Sequence, residues 1–244
     1  MTDIDETAAF ASIHDEPRYA VFFAPAHDSP LSQFGFSWFG EDALTGEPLE
    51  RPEVKGIDPE LVVLSTRRPR SYGFHATLKA PFKMKEGRDR EALINSLANF
   101  AESREAFELP ALVPKDRGAF VVLGAKKRAT AMDSLAADCL RGFDSFRAPM
   151  TDAERERRLL ADTLSARQKM LLDEWGYPYV LDQFDFHITL AGPCEGRDRD
   201  NIVKALSKNY KDLWKKPILV DAVSLFEQAP GEAFRVTERF PFGR

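Results

Sequence analysis

The sequence predicts an α+β fold built from two similar halves of one continuous domain. Three observations carry this. Apolar runs of strand length alternate with segments of helical spacing, and no low-complexity tract or flexible linker divides them. The stretch Phe74-His75-Ala76-Thr77-Leu78-Lys79-Ala80-Pro81 returns as Phe186-His187-Ile188-Thr189-Leu190-Ala191-Gly192-Pro193, with Phe, His, Thr, Leu and Pro at matching offsets. A chain of 244 residues is also long enough to bury a sizeable core, in one large domain or two small lobes.

Residues 1–17 read as a loose leader and residues 18–244 as the folded domain. Tyr19 to Ala24 is an apolar aromatic run ended by Pro25, as in a buried strand. Ser29-Pro30 is an N-cap followed by proline at the first helical position, opening a helix through Phe39. Residues 40–60 are rich in Gly and Pro and read as loop, with Asp58-Pro59-Glu60 capping a short helix through Leu64. Residues 72–82 alternate like a strand. Arg88 to Ala106 has helical spacing, with Leu93, Leu97 and Phe100 on one stripe. Strands follow at 107–113 and 119–123, then a helix at Thr130–Phe143. Thr151 and Glu154 form a capping box that opens a long charged helix to about Glu174. A strand at 183–191, a helix at Arg199–Tyr210 and closing strands at 218–228 and 233–240 complete the chain.

A net charge of −5 excludes a general nucleic-acid-binding polycation, although 34 Lys and Arg residues suffice to line a local basic cleft. Cys139 and Cys194 have no knuckle or disulfide spacing and read as ordinary thiols of a reducing compartment. The N-terminus is acidic and does not read as a signal peptide. No stretch approaches the roughly 18 apolar residues of a membrane span, so a cytoplasmic location without a membrane partner is expected.

The repeat carries the chemistry. Two of the four histidines of the chain sit in it. Side chains on a strand alternate between faces, so His75 and Thr77 share a face with Lys79, while Phe74, Ala76 and Leu78 point the other way. In the second copy Asp185, His187 and Thr189 share a face opposite Phe184, Phe186, Ile188 and Leu190. Each strand thus presents an imidazole and a hydroxyl about 6.5–7 Å apart, a spacing suited to different oxygens of one phosphate. If both strands face one cleft, one neutral imidazole takes a proton and the other, protonated, donates one to a leaving oxygen. The threonine hydroxyls stabilise the charge that develops on the non-bridging oxygens. This division of labour needs no metal or other cofactor. A metal site made of the two histidines and Asp185 lacks the usual ligand spacing.

The paired H-x-T motifs resemble the two-histidine (2H) phosphoesterase superfamily. The ordered set RYAVFFAP, SPLSQFG, YGFHATLKAPF, WGYPYV, FHITLAGP and RFPF resembles one branch of it, the phosphonate-operon-associated proteins of unknown function, and spans Arg18 to Phe242. The resemblance implies a bilobal, pseudo-twofold fold in which two antiparallel sheets line a central cleft with helices outside. It places His75 and His187 as catalytic acid and base, and Thr77 and Thr189 on the phosphate. It implies a metal-independent cyclic phosphodiesterase acting on a nucleotide or sugar phosphate, with a link to phosphonate metabolism and an RNA end as a further candidate substrate. A binding module that holds a phosphorylated or phosphonate ligand without turnover is the alternative.

Further candidates flank the motifs. Lys79 is a candidate point charge for a phosphate oxygen, against a solvated strand-end lysine. Tyr72 is a candidate stacking residue, against core packing, and Tyr19 a candidate cleft border. Arg67, Arg68 and Arg70 read as a solvated loop or an anion lure. His14 and His27 read as non-catalytic. The charged segment 154–169 reads as an exposed, self-paired helix. The sequence leaves substrate identity, the acid and base assignment and the oligomeric state open.

Overall fold

The caps written in the sequence set the first elements. Ser29 accepts a hydrogen bond from the Ser32 amide and Pro30 begins helix α1 (Pro30–Phe39), which Gly40 closes in the left-handed conformation at φ 70°. Asp58 caps α2 (Pro59–Arg70), and this helix runs six residues beyond the expected end at Leu64. Arg67, Arg68 and Arg70 therefore form a last helical turn and not a loop, where cations complement the exposed carbonyls. The computed structural model describes residues 15–161 and 163–243. His14 and nearly all of the expected leader lie outside them.

Three antiparallel sheets organise the described residues. In the first, the order is β2 (Ala76–Lys83), β1 (Arg18–Phe23), β8 (Ala222–Gln228) and β9 (Arg235–Pro241). In the second, it is β4 (Leu112–Arg117), β5 (Phe120–Ala125) and β6 (His187–Ala191). The short strands β3 (Phe107–Leu109) and β7 (Ile218–Val220) pair as a small third sheet. Helices α3 (Arg90–Glu102) and α4 (Thr130–Phe143) pack on the first sheet, whereas α2 and α7 (Gly196–Asn209) pack on the second. The expected α+β arrangement is thus present, with one small sheet more than anticipated. Pro110 divides the expected strand 107–113, and Asp221 divides 218–228.

The long helix expected from Thr151 is two helices, α5 (Asp152–Ala161) and α6 (Ala166–Trp175). Its cause is a second capping box: Ser165 accepts from the Gln168 amide while the Gln168 side chain accepts from the Ser165 amide. Arg155 and Asp173 then pair across the two helices at 2.5 Å.

Both motif strands are sheet edges, β2 in the first sheet and β6 in the second, and they lie beside each other. One cluster of buried side chains joins the sheets, including Phe23, Phe74 and Leu78 from the first half and Leu123, Ile188 and Leu190 from the second. Trp38 Nε1 donates to the Leu190 carbonyl at 2.8 Å, tying α1 to β6. The alternation read from the motifs holds for the apolar side: Phe74, Ala76, Ile188 and Leu190 are all buried.

The Phe74 ring lies flat against Gly35 of α1, where an added methyl group would overlap it. Gly35→Ala is expected to destabilise the protein by about 1–3 kcal/mol, the usual cost of overpacking, measured by urea unfolding. An unchanged midpoint would show that Phe74 has room to move.

Candidate active site

His75 sits one residue before β2, and the backbone that presents it depends on Gly73. Gly73 adopts φ 77°, a left-handed conformation that costs glycine nothing, and a Cβ there would press on Phe226. The Gly73 carbonyl meets His75 Nδ1 at 2.9 Å. At the second motif the Asp185 carbonyl meets His187 Nδ1 at 2.7 Å. A carbonyl only accepts, so both Nδ1 atoms carry the proton and donate it. Each Nε2 is left as the basic nitrogen. His75 Nε2 lies 3.3 Å from the Thr77 hydroxyl. The imidazoles of the two motif copies thus share one tautomer, fixed by the same bond to the residue two positions earlier.

Their surroundings differ. The His75 ring stacks on Phe22 at 3.7 Å and 19°, with Phe226 at 5.8 Å and Tyr72 at 6.5 Å. Burial among these rings lowers its pKa to about 4, partly opposed by the bond to Gly73 and reinforced by the charge of His187. His187 is also lowered, first by burial and then by the positive charges of Arg117 and Lys115, with the carbonyl bond and the carboxylate of Asp185 opposing.

A small cavity joins the halves. Thr77 and Leu78 line it from the first sheet, with His187, Asp185 and Arg117 from the second and Tyr177, Tyr179 and Phe184 from the loop before β6. The Tyr177 and Tyr179 rings meet edge to face, 5.5 Å between centroids. Thr189 follows His187 on the same face, through the pairs Gly124–His187 and Val122–Thr189. Tyr72 belongs beside this site, stacked between His75 and Phe234. Gly73 supplies the bend that overrides its strand parity.

Two expected site residues lie elsewhere. Lys79 is only 2% exposed, and its ammonium meets Asp144 at 2.9 Å behind the sheet, near the end of α4. The reason is a β-bulge: Phe22 pairs with Thr77 but Val21 with Lys79, so Leu78 is an extra residue that turns Lys79 to the opposite face. Tyr19 shares the Val21 face of β1 and packs on Phe82 at 6.3 Å, away from His75. On the cleft side of β1 the residues are Arg18, Ala20 and Phe22. Arg68 lies over the Phe120 ring at 5.8 Å, and His27 pairs with Asp42 at 2.8 Å on the surface. Asp185 pairs with Arg117 at 3.0 Å. Among the described residues, no three His, Cys, Asp or Glu side chains are grouped to hold a metal ion. Both cysteines are buried and free.

Lys115 and Arg117 were missed. The expected strand stopped at Val113, yet β4 runs to Arg117 and places Val113, Lys115 and Arg117 on the face of His187. Their alternation in V-P-K-D-R was the available signal. Tyr177 and Tyr179 were visible only as part of WGYPYV.

A family described as "Protein of unknown function (DUF1045)" matches residues 77–235. The chain belongs to the DUF1045 family. Two curated proteins named ribose 1,5-bisphosphate phosphokinase PhnN are similar to this DUF1045 chain. That of Janthinobacterium sp. (strain Marseille) is 36% identical over 230 residues, covering 92% of the chain and 51% of the relative. That of Laribacter hongkongensis (strain HLHK9) is 31% identical over 221 residues, covering 90% and 50%. The DUF1045 chain therefore spans about half the length of these relatives. A solved structure of E. coli LigT complexed with phosphate aligns over 94% of the chain and 99% of its own, at 12% identity and TM-score 0.45. No membrane-crossing helix, long and apolar enough, occurs among the described residues.

Proposed function

We propose that this chain is a 2H-type phosphoesterase that hydrolyses a cyclic phosphodiester of a sugar phosphate or nucleotide. The observation that carries the reading is the pair of imidazoles held in one tautomer, with Nδ1 on a main-chain carbonyl in each motif. Thr77 and Thr189 donate to the non-bridging oxygens, where charge builds as the phosphorus becomes pentacovalent. One imidazole takes a proton from water as its oxygen bonds to phosphorus. The other protonates the ester oxygen as its bond to phosphorus breaks, and a phosphomonoester leaves. His75, under its aromatic rings, is the more strongly depressed of the pair and serves as the base, and His187 serves as the acid.

The relatives' name supplies a kinase, not a hydrolase. The chain spans only half of them, and its sequence contains no G-x-x-x-x-G-K-[ST] loop for a nucleotide triphosphate. We assign the kinase of that name to the other half. A sugar bisphosphate in the name favours a phosphorylated sugar as the substrate class here, since opening a cyclic ester on such a sugar yields a bisphosphate.

EDTA-treated protein is expected to hydrolyse members of a panel of cyclic phosphodiesters, with a bell-shaped pH dependence of kcat/KM. The productive form has His75 neutral and His187 protonated. It is lost on the acid side as pH falls through about 4, and on the alkaline side as pH rises through the lowered pKa of His187, below 6.5. The optimum therefore lies on the acid side of neutrality. Ligand binding without turnover across the panel would favour a binding module instead.

A further inference from the structure

The two sides of the cleft carry different chemistry. His75 is bedded in aromatic rings, whereas His187 has two cations on its own sheet face. Those cations are built into place. Gly124 pairs with His187, and the Lys115 side chain lies directly across Gly124, where any Cβ would overlap it. The Lys115 ammonium reaches the Ala125 carbonyl at the limit of bonding, 3.5 Å, and has no carboxylate within ion-pair distance among the described residues. Asp185 Oδ2 holds Nε of Arg117 at 3.0 Å, which aims the guanidinium and leaves its terminal N–H groups without a hydrogen-bond partner among the described residues.

The position of the pair is also informative. Lys115 and Arg117 belong to β4, two strands from β6, so their backbone lies roughly 9–10 Å across the sheet from His187 and Thr189. The reacting phosphate already has four groups on it, two imidazoles and two hydroxyls. The Lys115 chain reaches back over Gly124 and Arg117 lines the cavity with His187, so these charges address a part of the substrate on the β4 side of that imidazole. Two positive charges beside an imidazole that must be protonated add to the effect of burial in opposing its task, with the Asp185 carboxylate offsetting part of it, and an anion bound between them reduces that opposition further.

We propose that Lys115 and Arg117 form an anion subsite beside His187 that takes a second, non-reacting phosphate of the substrate. This rests on the phosphoesterase reading for the identity of the first phosphate. Occupying the subsite orients the substrate, with its second phosphate toward β4 and its ring toward the aromatic side. It also offsets the positive charge that adds to burial in lowering the His187 pKa, so a doubly phosphorylated substrate keeps its activity to higher pH than a singly phosphorylated one.

The test compares adenosine 2′,3′-cyclic phosphate with the same compound carrying a 5′-phosphate. In parallel, calorimetry compares binding of adenosine 3′-monophosphate with that of adenosine 3′,5′-bisphosphate, which needs no turnover. Wild-type protein is expected to prefer the doubly phosphorylated member of each pair by roughly 10–100-fold. Lys115→Met and Arg117→Met are expected to bring the ratio towards one, with Arg117→Lys retaining part of it. Gly124→Ala displaces the Lys115 chain without deleting it, and lowers the ratio in the same direction. No preference in the wild type, or variants that weaken both members of a pair equally, would overturn the subsite. Preferential binding that the variants abolish, with neither cyclic compound hydrolysed, would sustain the subsite while removing the phosphoesterase reading. Turnover without preference would do the reverse.

Discussion

His75→Ala and His187→Ala are each expected to lower kcat/KM by about 10²–10⁴-fold on a cyclic phosphodiester that the wild type opens. On the proposed mechanism, each variant removes one of two proton transfers that cannot be replaced from the same direction. Water entering the vacated space carries neither a pKa near the working range nor the fixed orientation that the Gly73 and Asp185 carbonyls impose. The loss should fall on kcat more than on KM, because binding of the reacting phosphate is shared with Thr77 and Thr189. The double variant should be little worse than the poorer single one, since acid and base act as a unit. His75 also packs on Phe22, so His75→Ala opens space in an aromatic cluster, and melting temperatures must accompany the rates. Both variants within threefold of wild type, with the fold intact, would remove the acid–base assignment.

The geometry behind that result was partly legible in the residues. Period-two alternation put imidazole and hydroxyl on one face, and the duplicated motif required two such faces. Helix α4 kept its expected bounds because its buried residues, from Met132 through Leu135, Ala136, Cys139 and Leu140 to Phe143, recur at helical spacing along its whole length, and α1 kept its own because Ser29, Pro30 and Gly40 punctuate it. What escaped depended on partners. A bulge is a property of two strands, and nothing in T-L-K announces that Leu78 will be skipped by β1. One extra residue was enough to move Lys79 from the cleft to the interior. Ser165 and Gln168 did announce their cap locally, but the capping box at Thr151 invited one long helix through them. Lys115 and Arg117 were hidden by Pro114, which reads as a strand end. It is tolerated because β4 is an edge strand, paired on one side by β5.

The displaced lysine gives the second large effect, on stability and not on rate. Asp144→Ala is expected to destabilise the protein by about 3–5 kcal/mol, because it leaves the buried Lys79 ammonium without a carboxylate, facing the Leu140 carbonyl at 3.5 Å and the Phe82 ring at 5.6 Å. Lys79→Met should be far milder. Methionine fills the aliphatic space, and Asp144 keeps its two bonds from Arg147, at 2.8 and 3.2 Å. The asymmetry follows from the burial of the two partners: Lys79 is enclosed, whereas Asp144 reaches solvent. Burial alone would raise the Asp144 pKa, but the bonds from Arg147 and Lys79 outweigh it and hold it below the ordinary value. Its contribution is therefore present above the unfolded value and is lost as pH falls through the folded one. Lys79 is lowered, by burial first and with Asp144 opposing, so its folded form releases the proton before the unfolded chain does. Wild-type stability should thus gain from this group as pH rises towards the ordinary lysine value, a gain absent from Lys79→Met. Denaturant titrations across pH measure all three effects. Per folded molecule, kcat/KM of Lys79→Met should stay within about threefold of wild type, whereas a phosphate ligand would lose at least tenfold with its charge-assisted bond. A loss of that size in a stable Lys79→Met protein would return the ammonium to the cleft and displace Asp144 as its partner.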